Sequence, residues 1–281
     1  MWWDAAVTYR AAVVGAGPSG LYAADALASA GVQVDVLERL PVPFGLVRYG
    51  VAPDHFSIRS VRDTLHKVLE RPEVRLLAGV EVGADVSLSE LVDAYDAVVL
   101  TYGASRDRHL DVPGEDLPGS VAATDLVNWY CGHPDADRAG IEAALQGVTS
   151  AVVVGVGNVA VDVARVLVAP AERLAATDMP QHVLDALAAT GITDVHILGR
   201  RTAAHATWTT KELRELGELD GVDVVCDAGE LVSEPVAARL DEEDRVVHRN
   251  LEVLHEWSTR EPTGAPRRIH LHFHARPHEL R

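Results

Sequence analysis

An α/β chain built from two successive strand–turn–helix–strand units is what the sequence predicts, and three observations predict it. A short apolar run, Ala11–Gly15 (AAVVG), meets the turn Gly15-Ala16-Gly17-Pro18-Ser19-Gly20. A second run, Ser150–Gly155 (SAVVVG), meets Gly155-Val156-Gly157-Asn158-Val159-Ala160. Each turn then opens a helical stretch, Leu21–Ala30 in the first unit and about Val159–Val168 in the second. Each helix leads to a further strand, the alternating Val32–Glu38 (VQVDVLE) and Asp194–Gly199 (DVHILG).

Glycines at this spacing, after a strand and before a helix, mark a Rossmann-like dinucleotide-binding unit. Gly15 permits the tight turn, Gly17 lets backbone approach a pyrophosphate, and Gly20 lets the helix pack on the strand. The free N–H groups and positive dipole end of the helix N-terminus favour the phosphates. Glu38, at the end of the second strand, can accept hydrogen bonds from ribose hydroxyls. The second unit ends its fingerprint in Ala160, which the motif tolerates, and its second strand runs into Gly199-Arg200-Arg201 instead of an acid. A carboxylate about 4 Å from a 2′-phosphate would cost on the order of 4 kcal/mol at intermediate dielectric, and an arginine reverses that sign. A planar guanidinium also matches phosphate geometry. An isolated Arg pair is usually a solvated basic turn. At the end of this strand the phosphate reading is favoured, so the second unit is expected to take NADP(H) and the first a dinucleotide with a plain ribose.

Composition limits the alternatives. The 281 residues allow one large or two ordinary domains, and 48% hydrophobic residues suffice for a sizeable core. A net charge of −17 argues against nucleic-acid binding, which selects basic surfaces, although it leaves room for a local basic patch. Cys131 and Cys226 stand far apart, with no CxxC, against a redox dithiol or a Cys-ligated iron–sulfur cluster. The start, MWWDAAVTYR, has neither the basic nor the apolar region of a signal peptide, and no apolar run reaches bilayer length. A soluble cytoplasmic protein is expected.

Between the turns, Leu40–Pro53 is punctuated by proline and glycine and reads as irregular. Ser57–Glu70 reads as a helix, and Arg75–Ala78 and Asp96–Leu100 as strands, with a loop opening at Thr101. His109–Ser120, with two Pro-Gly pairs, is the expected crossover between domains 1–108 and 109–281. Thr124–Tyr130 and Lys211–Leu216 read as helices, Val222–Cys226 and Arg268–Ala275 as strands, and Ala169–Thr190 as an insertion. Glu230–Arg249 is charged and poorly periodic, and is expected to be exposed and mobile. His270, His272 and His274 recur with the period of one strand face, a spacing able to bind a metal. No Asp or Cys accompanies them at sequence spacing, so a solvated face or adventitious binding is expected and no metal site is read.

The segment Pro41–His55 (PVPFGLVRYGVAPDH) is rigid and apolar enough to line a flat aromatic ring, or to serve as a packed connector. Together with VVGAGPSGLYAA before it and VVVGVGNVAVDVARVL and LGRR…TTKELREL after it, it closely resembles the adrenodoxin reductase type of ferredoxin–NADP+ reductase, from about Val13 to the end of the chain. The resemblance implies FAD in the first unit, contacted at Ser19, Glu38, Leu46 and Val82. It implies NADP(H) in the second, contacted at Val156, Gly157, Asn158, Val159, Arg200, Arg201 and Glu212. His55 and Glu212 match residues near the nicotinamide and flavin rings, where they would position rings and manage protons. The implied reaction is hydride transfer from NADPH to FAD, then single-electron transfer to a ferredoxin-type iron–sulfur protein; no protein metal is needed.

Two departures accompany the resemblance. The family carries glutamine where Val156 stands, which removes one side-chain contact to NADP. In the family the NADP domain is inserted into the FAD domain, and the chain returns to complete the latter. This chain stops at RRIHLHFHARPHELR, so its FAD domain is expected to be incomplete, with an open sheet edge that favours association. Three other readings are weighed against the resemblance. One is a small-subunit glutamate synthase type, whose N-terminal cluster cysteines are absent here. Another is a thioredoxin reductase, whose CxxC is absent. The third is a truncated, non-catalytic NADP-binding remnant.

Overall fold

A computed structural model describes residues 8–231 and 242–281. The chain divides into two compact units, Met1–Arg106 and Asp107–Arg281.

The first unit begins with β1 (Arg10–Val14), whose Ala11, Ala12 and Val13 are fully buried. It continues through α1 (Pro18–Ser29), β2 (Gln33–Glu38), the one-turn helices α2 (Leu46–Tyr49) and α3 (Phe56–Arg59), α4 (Val61–Leu69), β3 (Val74–Ala78), α5 (Leu88–Ala94) and β4 (Ala97–Leu100). The strands form a wholly parallel sheet in the order β3-β2-β1-β4. Parallel sheets need cover on both faces, which explains the near-continuous apolar runs. One face packs with α1 and α4 through Val13, Leu21, Ala24, Val36 and Leu65, the other around Ala12, Val14, Leu37 and Leu91. Because β2 and β4 flank β1 on opposite sides, the C-terminal end of β1 is the point at which strand order reverses, where open α/β sheets bind ligands.

Two local readings change. The expected helix 57–70 is interrupted at Ser60, which separates α3 from α4, and the irregular stretch 40–53 contains the turn of α2. Helix α5, which hydrophobic periodicity did not reveal, is started by a reciprocal capping box: Ser87 Oγ accepts from the Glu90 N–H at 3.2 Å and Glu90 accepts from the Ser87 N–H at 2.9 Å.

The second unit contains α6 (Ala123–Tyr130), α7 (Arg138–Leu145), β5 (Ser150–Val154), α8 (Asn158–Val168), α9 (Ala171–Ala175), α10 (Gln181–Ala189), β6 (Asp194–Leu198), α11 (Thr210–Leu216), β7 (Val222–Cys226), α12 (Glu242–Thr259) and β8 (Arg267–His272). Its sheet is also parallel, in the order β5-β6-β8-β7, which leaves β5 at an edge. The insertion 169–190 is not a plain loop, since it folds into α9 and α10. Of the charged segment expected to be exposed and mobile, residues 232–241 lie outside the described residues, and from Glu242 the chain is helical. Asn250, Val253, Leu254 and Trp257 are buried at helical spacing, and this stripe begins only where the charged block ends, which hid it.

Strand β8 ends at His272, three residues short of the expected Ala275, because His274 takes a left-handed conformation (φ 56°). The anticipated histidine face is therefore different: His196 on β6, not His274, joins His270 and His272 in a stack of imidazoles. Centroids lie 4.4 Å apart for His196–His270 and 5.3 Å for His196–His272. His270 bonds Asp194 at 2.8 Å, and His196 Nδ1 lies 3.0 Å from His272 Nε2. Among the described residues no group of His, Cys, Asp and Glu is arranged to hold a metal, and no helix is long and apolar enough to cross a membrane.

Burial, reinforced by the charges of His270 and His272, holds the His196 imidazole below its ordinary value despite Asp194 nearby. An unfolded chain therefore binds more protons near pH ~6.5, and the stability this group contributes is lost as pH falls from there toward its lowered folded value. His196→Gln should make the second unit less acid-sensitive. Urea unfolding at pH 8, 6 and 5 should give a shallower decline in midpoint than for the unmodified chain.

Candidate functional site

In the first unit β1 delivers Gly15 to the sheet end with φ 105°, a conformation that L side chains rarely adopt. Its N–H donates to the Leu37 carbonyl at 2.7 Å, and a Cβ there would come within 2.6 Å of the Thr101 carbonyl oxygen. Gly17 caps α1, with Pro18 filling the first helical position and Ser19 exposed beside it. A Cβ on Gly20 would collide with the Gly15 carbonyl and sit 2.8 Å from Thr101 Oγ1, so helix and strand approach too closely for alanine. Glu38 folds back onto this turn: Oε2 accepts from the Ala16 N–H and Oε1 from the Leu40 N–H, both at 2.9 Å. A carboxylate has about four acceptor positions, so one on each oxygen stays open to a ribose hydroxyl.

The apolar segment 41–55 crosses the turn. Phe44 donates its N–H to the Ala16 carbonyl at 2.8 Å and holds φ 89°, and a Cβ on Gly45 would lie 3.0 Å from Gly17 Cα. Leu46 follows at 69% exposure, at the head of α2. Val82 lies in the loop after β3, packed with Ala12, Val14, Leu37 and Leu91 and tied back by the Val80 N–H to the Glu38 carbonyl at 3.0 Å. His55 and its neighbour Asp54 are buried, and His55 donates its N–H to the Ala52 carbonyl at 3.0 Å.

The second unit repeats the core geometry. Gly155, at φ 132°, donates its N–H to the Leu198 carbonyl at 2.9 Å, and Gly157 caps α8. Here Ala160 occupies the place of Gly20 and is buried at the start of α8. The Val156 side chain lies over Gly199, where a Cβ would come within 2.8 Å of Val156 Cγ1. Val159 is exposed on the first turn of α8. The Asn158 side chain holds a neighbouring strap: its Oδ1 accepts from the Thr209 N–H at 3.0 Å, while the Val156 carbonyl accepts from the Thr207 N–H at 2.9 Å. Thr209 in turn caps α11, accepting from the Glu212 N–H at 3.3 Å, and Glu212 is 7% exposed. Trp208 between them is buried, and its carbonyl accepts from Asn250 Nδ2 at 3.1 Å. Arg200 and Arg201 are exposed, and neither guanidinium is hydrogen-bonded or ion-paired among the described residues.

The turn glycines, Ser19, Glu38 and Leu46 are thus brought together in the first unit, with Val82 behind β2. In the second unit the turn residues 155–159 connect through the strap to Glu212, and Arg200 and Arg201 stand at the neighbouring strand's exit. His55 belongs to the first unit and Glu212 to the second. Thr101 and the strap residues Thr207 and Trp208 help complete the two turns and fall outside the quoted motifs, of which TTKELREL begins only at Thr209. The only hint in sequence is that a β-capable threonine follows each relevant strand or precedes a helix.

Residues 9–229 match the family model described as pyridine nucleotide-disulphide oxidoreductase. The chain belongs to this family. It is similar to NADPH-ferredoxin reductase FprA of Mycobacterium tuberculosis, with 45% identity across 97% of this chain and 60% of that protein. It is also similar to the mitochondrial NADPH:adrenodoxin oxidoreductase of Drosophila melanogaster, with 46% identity across 77% of this chain and 46% of that protein. The structure of M. tuberculosis FprA in complex with NADPH matches 98% of this chain and 61% of its own, with a TM-score of 0.91 and 44% identity. The chain thus spans about 60% of the length of the M. tuberculosis relative. The resemblance drawn from the motifs and the family match agree over both glycine turns.

The different crowding of the two turns has a measurable consequence. Gly20→Ala should destabilise the first unit by about 1–3 kcal/mol through overpacking against Gly15 and Thr101. Ala160→Gly should cost the second unit no more than about 1 kcal/mol, the helix-propensity difference. Denaturant unfolding of the two variants checks the contrast.

Proposed function

We propose that the chain forms the nucleotide-binding part of an NADPH-dependent flavoprotein reductase: FAD in the first unit, NADP(H) in the second, and a ferredoxin-type iron–sulfur protein as electron acceptor. The observation that carries this reading is the pairing of two equivalent glycine turns with opposite charge at the adjacent strand exit. Glu38 is bonded into the first turn, and Arg200 and Arg201 stand beside the second without a side-chain partner among the described residues. A cytoplasmic location is part of the same reading.

A flavin bound in the first unit would supply hydride acceptance from reduced nicotinamide and one-electron release to the iron–sulfur partner. The chain's own residues bind and orient. Backbone N–H groups at the starts of α1 and α8 would hold the two pyrophosphates, and Gly17, with Gly45 Cα at 3.9 Å from a Cβ position, leaves room for close approach. Glu38 would offer its remaining acceptor positions to the adenosine ribose. Arg200 and Arg201 would hold the 2′-phosphate through charge-assisted hydrogen bonds. Glu212, buried and fixed through Thr209 and Asn158 to the NADP(H) turn, is suited to holding the nicotinamide end. His55, rigidly placed in the 41–55 segment, is suited to the flavin side.

The purified protein should show flavin absorption near one per chain, bleached anaerobically by NADPH. A colourless chain that still binds NADP+ would sink the flavoprotein reading and leave a nucleotide-binding remnant. Replacing both Arg200 and Arg201 by alanine should weaken NADPH binding by about 10- to 100-fold, the worth of one charge-assisted contact or more, and leave NADH binding unchanged. Titration of nucleotide fluorescence reads both affinities.

A further inference from the structure

Beyond β8 the chain turns back toward the exit of β6. Phe273 is buried edge-on against Trp208, with ring centroids 6.3 Å apart, and its N–H donates to Glu230 Oε2 at 2.7 Å. His274 follows at φ 56°. That left-handed residue reverses the chain, so that two successive N–H groups reach the same turn: His274 donates to the Arg201 carbonyl at 3.1 Å and Ala275 to the Gly199 carbonyl at 3.0 Å. Gly199 completes the lacing by donating to the His272 carbonyl at 2.7 Å. Gly199 also accepts the Phe273 ring at close range, since a Cβ there would lie 3.3 Å from Phe273 Cδ1.

These bonds matter because Arg200 and Arg201 have no side-chain partner to orient them among the described residues. The backbone that carries them, 199–201, is held by residues 272–275. The His274 side chain is itself exposed, so its contribution lies in the conformation it allows rather than in packing. Left-handed backbone is uncommon for residues other than glycine, with Asn, Asp and His the most tolerant, and is a genuine outlier for a β-branched residue.

We propose that His274 is a positioning residue for nucleotide specificity: its left-handed backbone fixes the turn that presents Arg200 and Arg201 to the 2′-phosphate of NADP(H). The proposal rests on the NADP(H) reading of the second unit. The His-tolerant conformation at residue 274 then sets discrimination between NADPH and NADH, while the glycine turn at 155–157 sets the binding common to both.

The test compares NADPH and NADH dissociation constants, by fluorescence titration of the full chain, across the series His274→Gly, His274→Asn, His274→Ala and His274→Val. Glycine and asparagine accept the left-handed conformation and should keep the unmodified preference for NADPH. Valine should reduce that preference about tenfold with NADH affinity unchanged, and alanine should fall between. If the valine variant does not fold, the alanine-against-glycine comparison carries the same test. An unaltered NADPH/NADH ratio in the valine or alanine variant overturns the proposal, as does equal weakening of both nucleotides, which is the mark of a purely structural role. Equal affinity for the two nucleotides in the unmodified chain overturns the NADP(H) reading itself, and the proposal with it.

Discussion

In both units a chain leaving a parallel strand must enter a helix within about three residues while staying bonded to the next strand. One backbone hydrogen bond meets this constraint twice, Gly15 N–H to the Leu37 carbonyl and Gly155 N–H to the Leu198 carbonyl. It requires φ of 105° and 132°, which only glycine supplies without strain. Once the bond forms, the N-termini of α1 and α8 point across the sheet end, and whatever follows Leu37 or Leu198 stands beside the turn. In the first unit the next residue is Glu38. In the second it is Gly199, which places the arginines one and two residues farther out.

The two turns differ in how far they are enclosed. The first lies between β2 and β4, so Thr101 at the end of β4 presses on Gly15 and Gly20, and Phe44–Gly45 crosses over Ala16 and Gly17. The second sits on an edge strand. Among the described residues nothing approaches a Cβ position on Gly155 within 4 Å, and Val152 and Val154 are 60% and 43% exposed. At the third fingerprint position a side chain on Gly20 would collide first with the Gly15 carbonyl of its own turn and then with Thr101 Oγ1 at 2.8 Å, whereas Ala160 is accommodated at the start of α8. The second turn is steadied instead by the strap 207–209, bonded to Val156 and Asn158.

Both turns, their strands and the charge after each were legible from sequence, because glycine spacing and strand periodicity are local signals. The features that escaped were set by contacts remote in sequence or by a change of period. Helix α12 was hidden because its buried stripe, Asn250 to Trp257, starts after a block of charge. The strand expected to run to Ala275 stops at His272 because Phe273 is drawn toward Trp208 and His274 reverses the chain, and neither is signalled by the alternation of RRIHLHFHA. Asn158 reads as a nucleotide contact in the motif, yet its side-chain oxygen carries the Thr209 N–H, a role visible only once residues 158 and 209 are adjacent in space.

On the proposed assignment of the two turns, the placement of charge around them would also keep their preferences from being exchanged by one substitution. Glu38 satisfies the N–H groups of Ala16 and Leu40 at the positive end of α1, a position that favours an anion. An arginine in its place would offer donors only, leaving those two N–H groups without an acceptor at a cost of about 1–3 kcal/mol each and setting a cation against the helix N-terminus. Arg200 and Arg201 avoid both penalties because Gly199 intervenes, moving them clear of the Gly155–Leu198 bond while the 272–275 segment holds their backbone. On the proposed reading, a phosphate-directed turn would therefore depend on a spacer residue and an external brace, whereas a ribose-directed acid would belong inside the turn itself.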